Sequence, residues 1–231
     1  MLDKYLTQGL NIRVTTVLNT DASVEPAPES PVCERMGLRE RQRIARDEAI
    51  LEAAFALIVE EGYDALTMEK VAARVGISRQ TLYHHFSSRE DIALRAILTL
   101  MEQGIAAIQS FDTSVPPVER LKLVVRWMIE SRFQPACAAL VKVRHSLVSV
   151  KAHPDYRRAF ERRASALAEI VASAQSDGDL RPDLPSRLIV QMLLGLVSDA
   201  SYEGLVAADL VTPAVVAETI VDVFFQGLRP H

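Results

Sequence analysis

Apolar residues recur every three or four positions along most of this chain, which is the spacing of one face of an α-helix. The stretches with this spacing cover residues 47–62, 67–75, 78–86, 89–111, 117–133, 136–150, 153–176, 186–206 and 212–228. Prolines or glycines separate most of them, as expected where helices begin and end. No segment alternates apolar and polar residues in a way that requires a strand. The pattern therefore predicts an all-α protein.

Two of the predicted helices are short and lie close together, between residues 67 and 86. Thr67 and Ser78 are preferred N-cap residues, so each is expected to begin one of these helices. Gly76 lies between them, where a left-handed backbone conformation commonly ends a helix and favours glycine. Leu82 and Phe86 give the second helix a single apolar side. The spacing predicts a helix-turn-helix unit, although an ordinary helical hairpin has the same pattern.

The polar side of the second helix suits contact with nucleic acid. Arg79, Gln80, Tyr83 and His84 can donate or accept hydrogen bonds or stack, and an α-helix fits the major groove of DNA. Upstream, residues 35–46 include Arg39 and contain five arginines against one glutamate. Such a run is suited to phosphates rather than to protein packing. These features favour DNA binding over a simple hairpin.

Residues 39–98 resemble the TetR family of bacterial transcription regulators. The resemblance rests on four motifs, which are Glu-Glu-Gly-Tyr-Asp-Ala-Leu-Thr67, Val-Ala-Ala-Arg-Val-Gly-Ile-Ser78, Thr-Leu-Tyr-His-His-Phe86 and Ser-Arg-Glu-Asp-Ile92. It implies a three-helix DNA-binding domain at residues 35–88, followed by a larger helical domain at residues 89–231. Residues 1–34, which contain a proline-rich acidic stretch at residues 21–31, are expected to form a disordered extension.

The resemblance also implies roles for individual residues. The positions that usually hold the sugar-phosphate backbone in this family are Thr67, Thr81, Tyr83, His85 and Arg89. Arg89 replaces the lysine that is more common there and keeps its charge. Arg79, Gln80 and His84 fall where the family varies, so they are the candidates for reading bases.

The two last predicted helices have broader apolar faces than one inward stripe requires. Their candidate interface residues are Leu188, Met192, Leu193, Leu196, Val216, Ile220 and Phe224, and Ile189 belongs to the same apolar run. The resemblance implies that this hairpin pairs with its copy to form a homodimer. The alternative is a fully buried hairpin at the centre of a monomer. A dimer would let two recognition helices read a palindromic site.

The middle of the chain carries candidates for a site that binds a small hydrophobic effector. They are Met101, Trp127, Met128, Arg132, Phe133, Arg144, His145 and Leu147. An apolar pocket with a few polar anchors suits such a ligand, and an arginine could bind an anionic group on it. The alternative is that the apolar residues are ordinary core and the arginines point to solvent.

The expected function is that of a ligand-responsive DNA-binding regulator. Members of the family are commonly repressors, so repression is the expected effect. The expected partners are double-stranded operator DNA and a small-molecule effector. An activator and an effector-independent DNA-binding protein remain alternatives. On the implied mechanism, an effector tilts the long helix of residues 89–111 and changes the spacing of the two recognition helices.

An enzyme is the competing class, and its usual motifs are missing from the sequence. There is no Gly-x-Ser-x-Gly elbow, no phosphate-binding glycine loop and no His-Glu-x-x-His zinc helix. Neighbouring His84 and His85 point about 100° apart on a helix, which is a poor chelating geometry. We therefore expect no catalytic residue, metal site or cofactor. The net charge of −4 excludes a globally basic nucleic-acid binder, so binding needs a local basic face.

No signal peptide or transmembrane span is predicted, so the expected location is the cytoplasm, with no membrane contact. Translation could begin at Met1 or at Met36.

Overall fold

The structure is a computed structural model that describes residues 37–146, 148–199 and 201–230, without the side chains of residues 135, 136, 142, 144–146 and 148. All regular structure in these residues is helical, so the all-α prediction is confirmed. The helices are α1 Leu38–Glu61, α2 Met68–Val75, α3 Arg79–His85, α4 Arg89–Ser110, α5 Pro117–Arg132, α6 Pro135–Ser146, α7 Val148–Ala152, α8 Pro154–Ser176, α9 Ser186–Val197, α10 Ser201–Ala207 and α11 Pro213–Gly227. The predicted N-terminal extension and both possible start residues, Met1 and Met36, lie outside the described residues.

The chain forms two compact units, one ending at Ile97 and the other beginning at Leu98. The division falls within α4, beyond the predicted domain boundary at residue 88. Ile92 and Ala96, in the first turns of α4, are fully buried. The N-terminal unit therefore includes the beginning of this helix.

Helix α1 begins earlier than its apolar pattern predicts. Regular spacing of apolar residues starts near Asp47, but the helix extends back to Leu38 through the arginine run. Arg43 pairs with Glu40 at 2.8 Å and lies 3.6 Å from Asp47, and both partners are about one helical turn away. These pairs support a helical turn that has no apolar stripe of its own.

In the C-terminal unit, α5 packs against both α8 and α11, and α8 packs against α9. The fully buried residues at these contacts include Leu121, Leu167, Ile189 and Leu193. Trp127 lies in the same core with its ring edge-on to Phe111, at 6.3 Å between ring centroids. This core holds most of the large apolar side chains of the unit.

The single helix predicted over residues 186–206 is wrong, because α9 ends at Val197 and α10 begins at Ser201. Asp199 accepts hydrogen bonds from the backbone N–H and the hydroxyl of Ser201, at 2.8 and 2.6 Å. Such local side-chain bonds compete with a continuous helix. The stretch Ser186–Ala207 is long and apolar enough by length and composition to cross a membrane, a test that core helices also pass. The break at Val197 and the burial of Leu193 in the core argue for a core helix of the protein.

Candidate nucleic-acid interface

Helices α2 and α3 meet across the turn that the sequence predicts. The Thr67 hydroxyl oxygen accepts from the Lys70 backbone N–H at 3.2 Å, and Ser78 accepts from the Thr81 backbone N–H at 3.0 Å. Gly76 has φ +75° and ψ +32°, the left-handed conformation expected of a helix C-cap. The predicted caps and the predicted glycine turn are confirmed.

Helix α3 buries one side and exposes the other. Leu82 is fully buried, whereas Arg79, Gln80, Tyr83 and His84 are exposed, with Tyr83 48% accessible. The four polar side chains therefore lie on the open side of a short helix, as the sequence predicts.

Arg79 already has a partner in the structure. Its guanidinium lies 2.7 Å from a carboxylate oxygen of Glu69 on α2, and both side chains are more than half exposed. Exposed pairs of this kind contribute little to stability, so the arginine can exchange this partner for another at small cost. Glu69 was not a sequence candidate, because the pair crosses the turn between two helices.

Four further candidates for DNA contact lie at or near the beginnings of α1, α2 and α3. Thr67 and Ser78 cap the two helices, and the Thr81 hydroxyl lies 2.8 Å from the Ser78 hydroxyl. Arg39 is exposed in the first turn of α1. Thr67, Ser78 and Thr81 therefore place hydroxyl groups at the beginnings of α2 and α3.

Arg89 is oriented by an aromatic ring. Its guanidinium carbon lies 5.1 Å from the centre of the Tyr63 ring, and its Nε lies 3.0 Å from Glu90. Burial raises the pKa of the Tyr63 phenol, which therefore stays neutral at physiological pH. A cation over a neutral ring face is favourable. Sequence reasoning missed this contact, since Tyr63 precedes the helix-turn-helix unit.

His85 is oriented by a carboxylate from α1. Its Nδ1 lies 2.5 Å from Oδ1 of Asp47, and the two side chains are 15% and 25% exposed. Asp47 was not a candidate, because 38 positions separate it from His85 and no sequence signal links them.

Some of the effector candidates are buried or partly buried in the core of the C-terminal unit, and the others have side chains that the structure does not describe. Met101 and Trp127 are buried, and Met128 and Phe133 are partly buried against the core of the C-terminal unit. The side chains of Arg144 and His145, and the whole of Leu147, lie outside the described residues. The effector site stays a prediction.

Arg132 has partners within the protein. It is buried at the end of α5, where it donates to the Val197 carbonyl at the end of α9 and to Glu203 of α10 at 2.7 Å. The alternative interpretation, in which the arginines point to solvent, is therefore wrong for Arg132. An anionic effector that reached Nη2 of this arginine would compete with Glu203 for it.

The candidate dimer residues fall on two sides of α9 and α11. Leu188, Met192 and Leu196 are exposed at intervals of four residues along α9. Leu193 is fully buried inside the chain, so it is a core residue and cannot lie between two copies. Val216, Ile220 and Phe224 are largely buried, but they line a groove of about 320 Å³ on the surface formed by α9 to α11.

The exposed apolar side of α11 was missing from the predicted set. Val215 and Val223 are 49% and 68% exposed and line the same groove. They are eight positions apart, so they lie on one side of the helix.

Among the described residues, no group of three or more His, Cys, Asp or Glu side chains could hold a metal ion.

Comparison with known proteins agrees with this geometry. The profile of the family described as bacterial regulatory proteins, tetR family, matches residues 50–96, which hold α2 and α3. The HTH-type transcriptional regulator TcmR of Streptomyces glaucescens is 28% identical over 223 residues, which is 90% of this chain and 92% of TcmR.

Two solved structures share the fold. The fatty acid degradation regulator FadR from Bacillus halodurans has a TM-score of 0.68 and 20% identity, over 80% of this chain and 97% of that one. FadR from Bacillus subtilis, in complex with stearoyl-CoA, has a TM-score of 0.63 and 21% identity, over 78% of this chain and 98% of its own. The profile match, the relative and the all-helical fold lead to one assignment. The chain belongs to the TetR family of bacterial regulatory proteins.

Proposed function

We propose that this protein is a ligand-responsive transcriptional repressor that binds a palindromic operator as a homodimer and leaves it when a small hydrophobic effector binds. Residues 35–88 would form the DNA-binding domain, and residues 89–231 the effector-binding and dimerisation domain, in the cytoplasm and without a membrane. The observation that carries the proposal is the exposed face of α3, where Arg79, Gln80, Tyr83 and His84 stand outside the core.

The groups on this face match the surface of a DNA duplex. Arg79 can bind guanine through two hydrogen bonds, and Gln80 can do the same with adenine. Thr81, His85 and Arg89 supply donors at the rim, where backbone phosphates lie when a helix enters the major groove. Binding would transfer Arg79 from Glu69 to a base.

A homodimer explains the exposed apolar surface at the end of the chain. Leu188, Met192 and Leu196 on α9, with Val215 and Val223 on α11, form an outward apolar face of the kind that marks protein interfaces. Pairing this face with its copy would bury it and bring two recognition helices together. Because one short helix contacts few base pairs, the pair would read two half-sites one helical turn apart.

The effector is proposed to be a hydrophobic small molecule. The C-terminal unit is rich in apolar residues, and FadR from Bacillus subtilis, which shares its fold, is bound to stearoyl-CoA. A long-chain acyl thioester is therefore the first class of ligand to test. An effector that binds one conformation more tightly than another increases the population of that conformation. If the two recognition helices are wrongly spaced in that conformation, the protein releases DNA.

A reporter fused to the DNA upstream of the gene tests the proposal in cells. A repressor lowers reporter output when it is expressed, and Arg79→Ala restores that output because a specific contact is lost. Output that rises on expression supports the activator alternative. Repression that no tested acyl compound relieves, together with no binding of those compounds, supports effector-independent DNA binding.

A further inference from the structure

His85 ends the recognition helix α3 in a position set by α1. Its Nδ1 lies 2.5 Å from Oδ1 of Asp47, and the imidazole is only 15% exposed. The second carboxylate oxygen of Asp47 lies 3.6 Å from Arg43, which also pairs with Glu40. The ring is therefore held by a carboxylate that is itself held on the surface of α1.

The other ring nitrogen of His85 is left available. Nε2 has no hydrogen-bond partner in the described part of the chain. It is also not one of the fully buried polar atoms, so it is accessible from solvent. Thr81 lies one helical turn before His85, so the two side chains share a side of α3. A phosphate that accepts from the Thr81 hydroxyl would lie within reach of Nε2.

The contact with Asp47 decides what Nε2 can do. A neutral imidazole carries one N–H, and a carboxylate acceptor at Nδ1 places that hydrogen on Nδ1. Nε2 then has only a lone pair, which a phosphate oxygen repels. An imidazolium carries an N–H on both nitrogens, so it alone can donate to Asp47 and to a phosphate together.

Charged groups also lie on the helices near His85. On α1, Arg46 and Glu48 flank Asp47 and are exposed to solvent. On α2, Glu69, Lys70 and Arg74 carry the charges; on α4 the nearest are Arg89, Glu90 and Asp91. Their ion pairs are Glu69–Arg79, Lys70–Glu61, Arg74–Glu60, Arg89–Glu90 and Asp91–Arg95. On α3 itself, His84 is exposed and adjacent. Asp47 is thus the charged group that acts directly on His85.

We propose that Asp47 is a positioning residue that holds His85 as an imidazolium against a backbone phosphate, so that operator binding takes up a proton at each half-site. The inference rests on the proposed DNA-binding function. Histidine is the side chain that changes charge between about pH 5 and pH 8. Operator affinity therefore falls as the pH rises through this range, because the proton must be supplied at binding.

Fluorescence anisotropy with a labelled duplex of the upstream DNA, from about pH 6 to about pH 8 at constant ionic strength, tests the proposal. Wild-type affinity should fall by roughly tenfold or more across this range, since each half-site takes up a proton. His85→Gln keeps a neutral donor and should bind more weakly at low pH with little pH dependence. His153→Gln, which removes a partly exposed histidine of the C-terminal unit, is the matched control, and it should keep the wild-type slope.

Asp47→Asn separates positioning from folding. An asparagine oxygen can still accept from Nδ1, but it removes the negative charge that favours the imidazolium. Binding at neutral pH should weaken, and lowering the pH should restore most of it, whereas damage to the fold would not be restored. Circular dichroism and the thermal midpoint of each variant confirm that the domain is folded.

Two results overturn the inference: wild-type binding that does not change with pH, or a pH dependence that survives His85→Gln. If the wild-type protein binds no duplex from its upstream region at any pH, the proposed function itself fails, and this inference fails with it.

Discussion

Neighbouring residues on α9 offer a direct test of the proposed dimer. Met192 is 52% exposed on the outward apolar face, whereas Leu193, the next residue, is 0% exposed inside the core. Met192→Glu should therefore disturb only association between copies. Leu193→Glu should unfold the C-terminal unit, because it buries an unpaired charge among apolar groups.

The expected loss at Met192 follows from its exposure. Burying a whole methionine side chain contributes about 1.5 to 3 kcal/mol, so burying the exposed half contributes about 1 kcal/mol. A two-fold interface contains the residue twice, and a desolvated glutamate adds a further unfavourable term at each copy. Dimerisation should weaken by about 3 kcal/mol or more, which is roughly a hundredfold in the dissociation constant.

Sedimentation velocity over a wide range of protein concentrations measures this change. Wild-type protein should remain dimeric where Met192→Glu is monomeric, and both should have the same helical circular dichroism spectrum. Ser165→Glu, at an exposed position on α8, is the control and should stay dimeric. A wild-type monomer at micromolar concentration, or a Met192→Glu variant that dimerises as tightly as wild type, would refute the reasoning.

Four further predictions concern the DNA face, the buried arginine and the effector. Arg79→Ala should weaken specific binding by about 1 to 3 kcal/mol and relax one base position, as selection from a randomised duplex pool would show. Arg89→Ala should instead weaken all sequences alike and reduce the dependence of affinity on salt concentration. Glu203→Gln removes the counter-charge of buried Arg132 and should lower the free energy of unfolding by about 2 kcal/mol in urea titrations; no change would contradict that role. An effector that binds near Trp127 should change its fluorescence over the concentration range that releases DNA, and release without that change would place the site elsewhere.

The sequence predicted the DNA-binding unit well because its signals are local. Thr67 and Ser78 cap helices through atoms three residues away, and Gly76 adopts the left-handed backbone that its position requires. A four-residue spacing was enough to assign Leu82 to the inside of α3. Each of these signals lies within one or two turns of the chain.

The sequence could not supply contacts between distant segments. Asp47 reaches His85 across 38 positions, and Arg132 reaches Glu203 across 71, so neither pair leaves a periodic pattern. The end of α9 was also not predicted, because the apolar pattern continues through it. There the Asp199 carboxylate accepts a hydrogen bond from the Ser201 backbone N–H, and this bond competes with the helical backbone bonds. These contacts depend on packing geometry, which one sequence does not reveal.

Hydrophobicity alone also failed to tell an interface from a core. Leu193 and Met192 are both large apolar residues on α9. Leu193 is fully buried, whereas Met192 is half exposed. Both faces of α9 are apolar, so helical periodicity does not say which side the chain itself covers.

DNase I footprinting of the upstream region, with binding titrated at several salt concentrations, tests the central claim most directly. The account predicts a protected site with two-fold symmetry, half-sites one helical turn apart, and an affinity that falls steeply with salt. Arg79→Ala should lose that protection at concentrations where the wild-type footprint is complete. No symmetric footprint, or binding that salt leaves unchanged, would contradict the assignment of α3 as the helix that reads DNA.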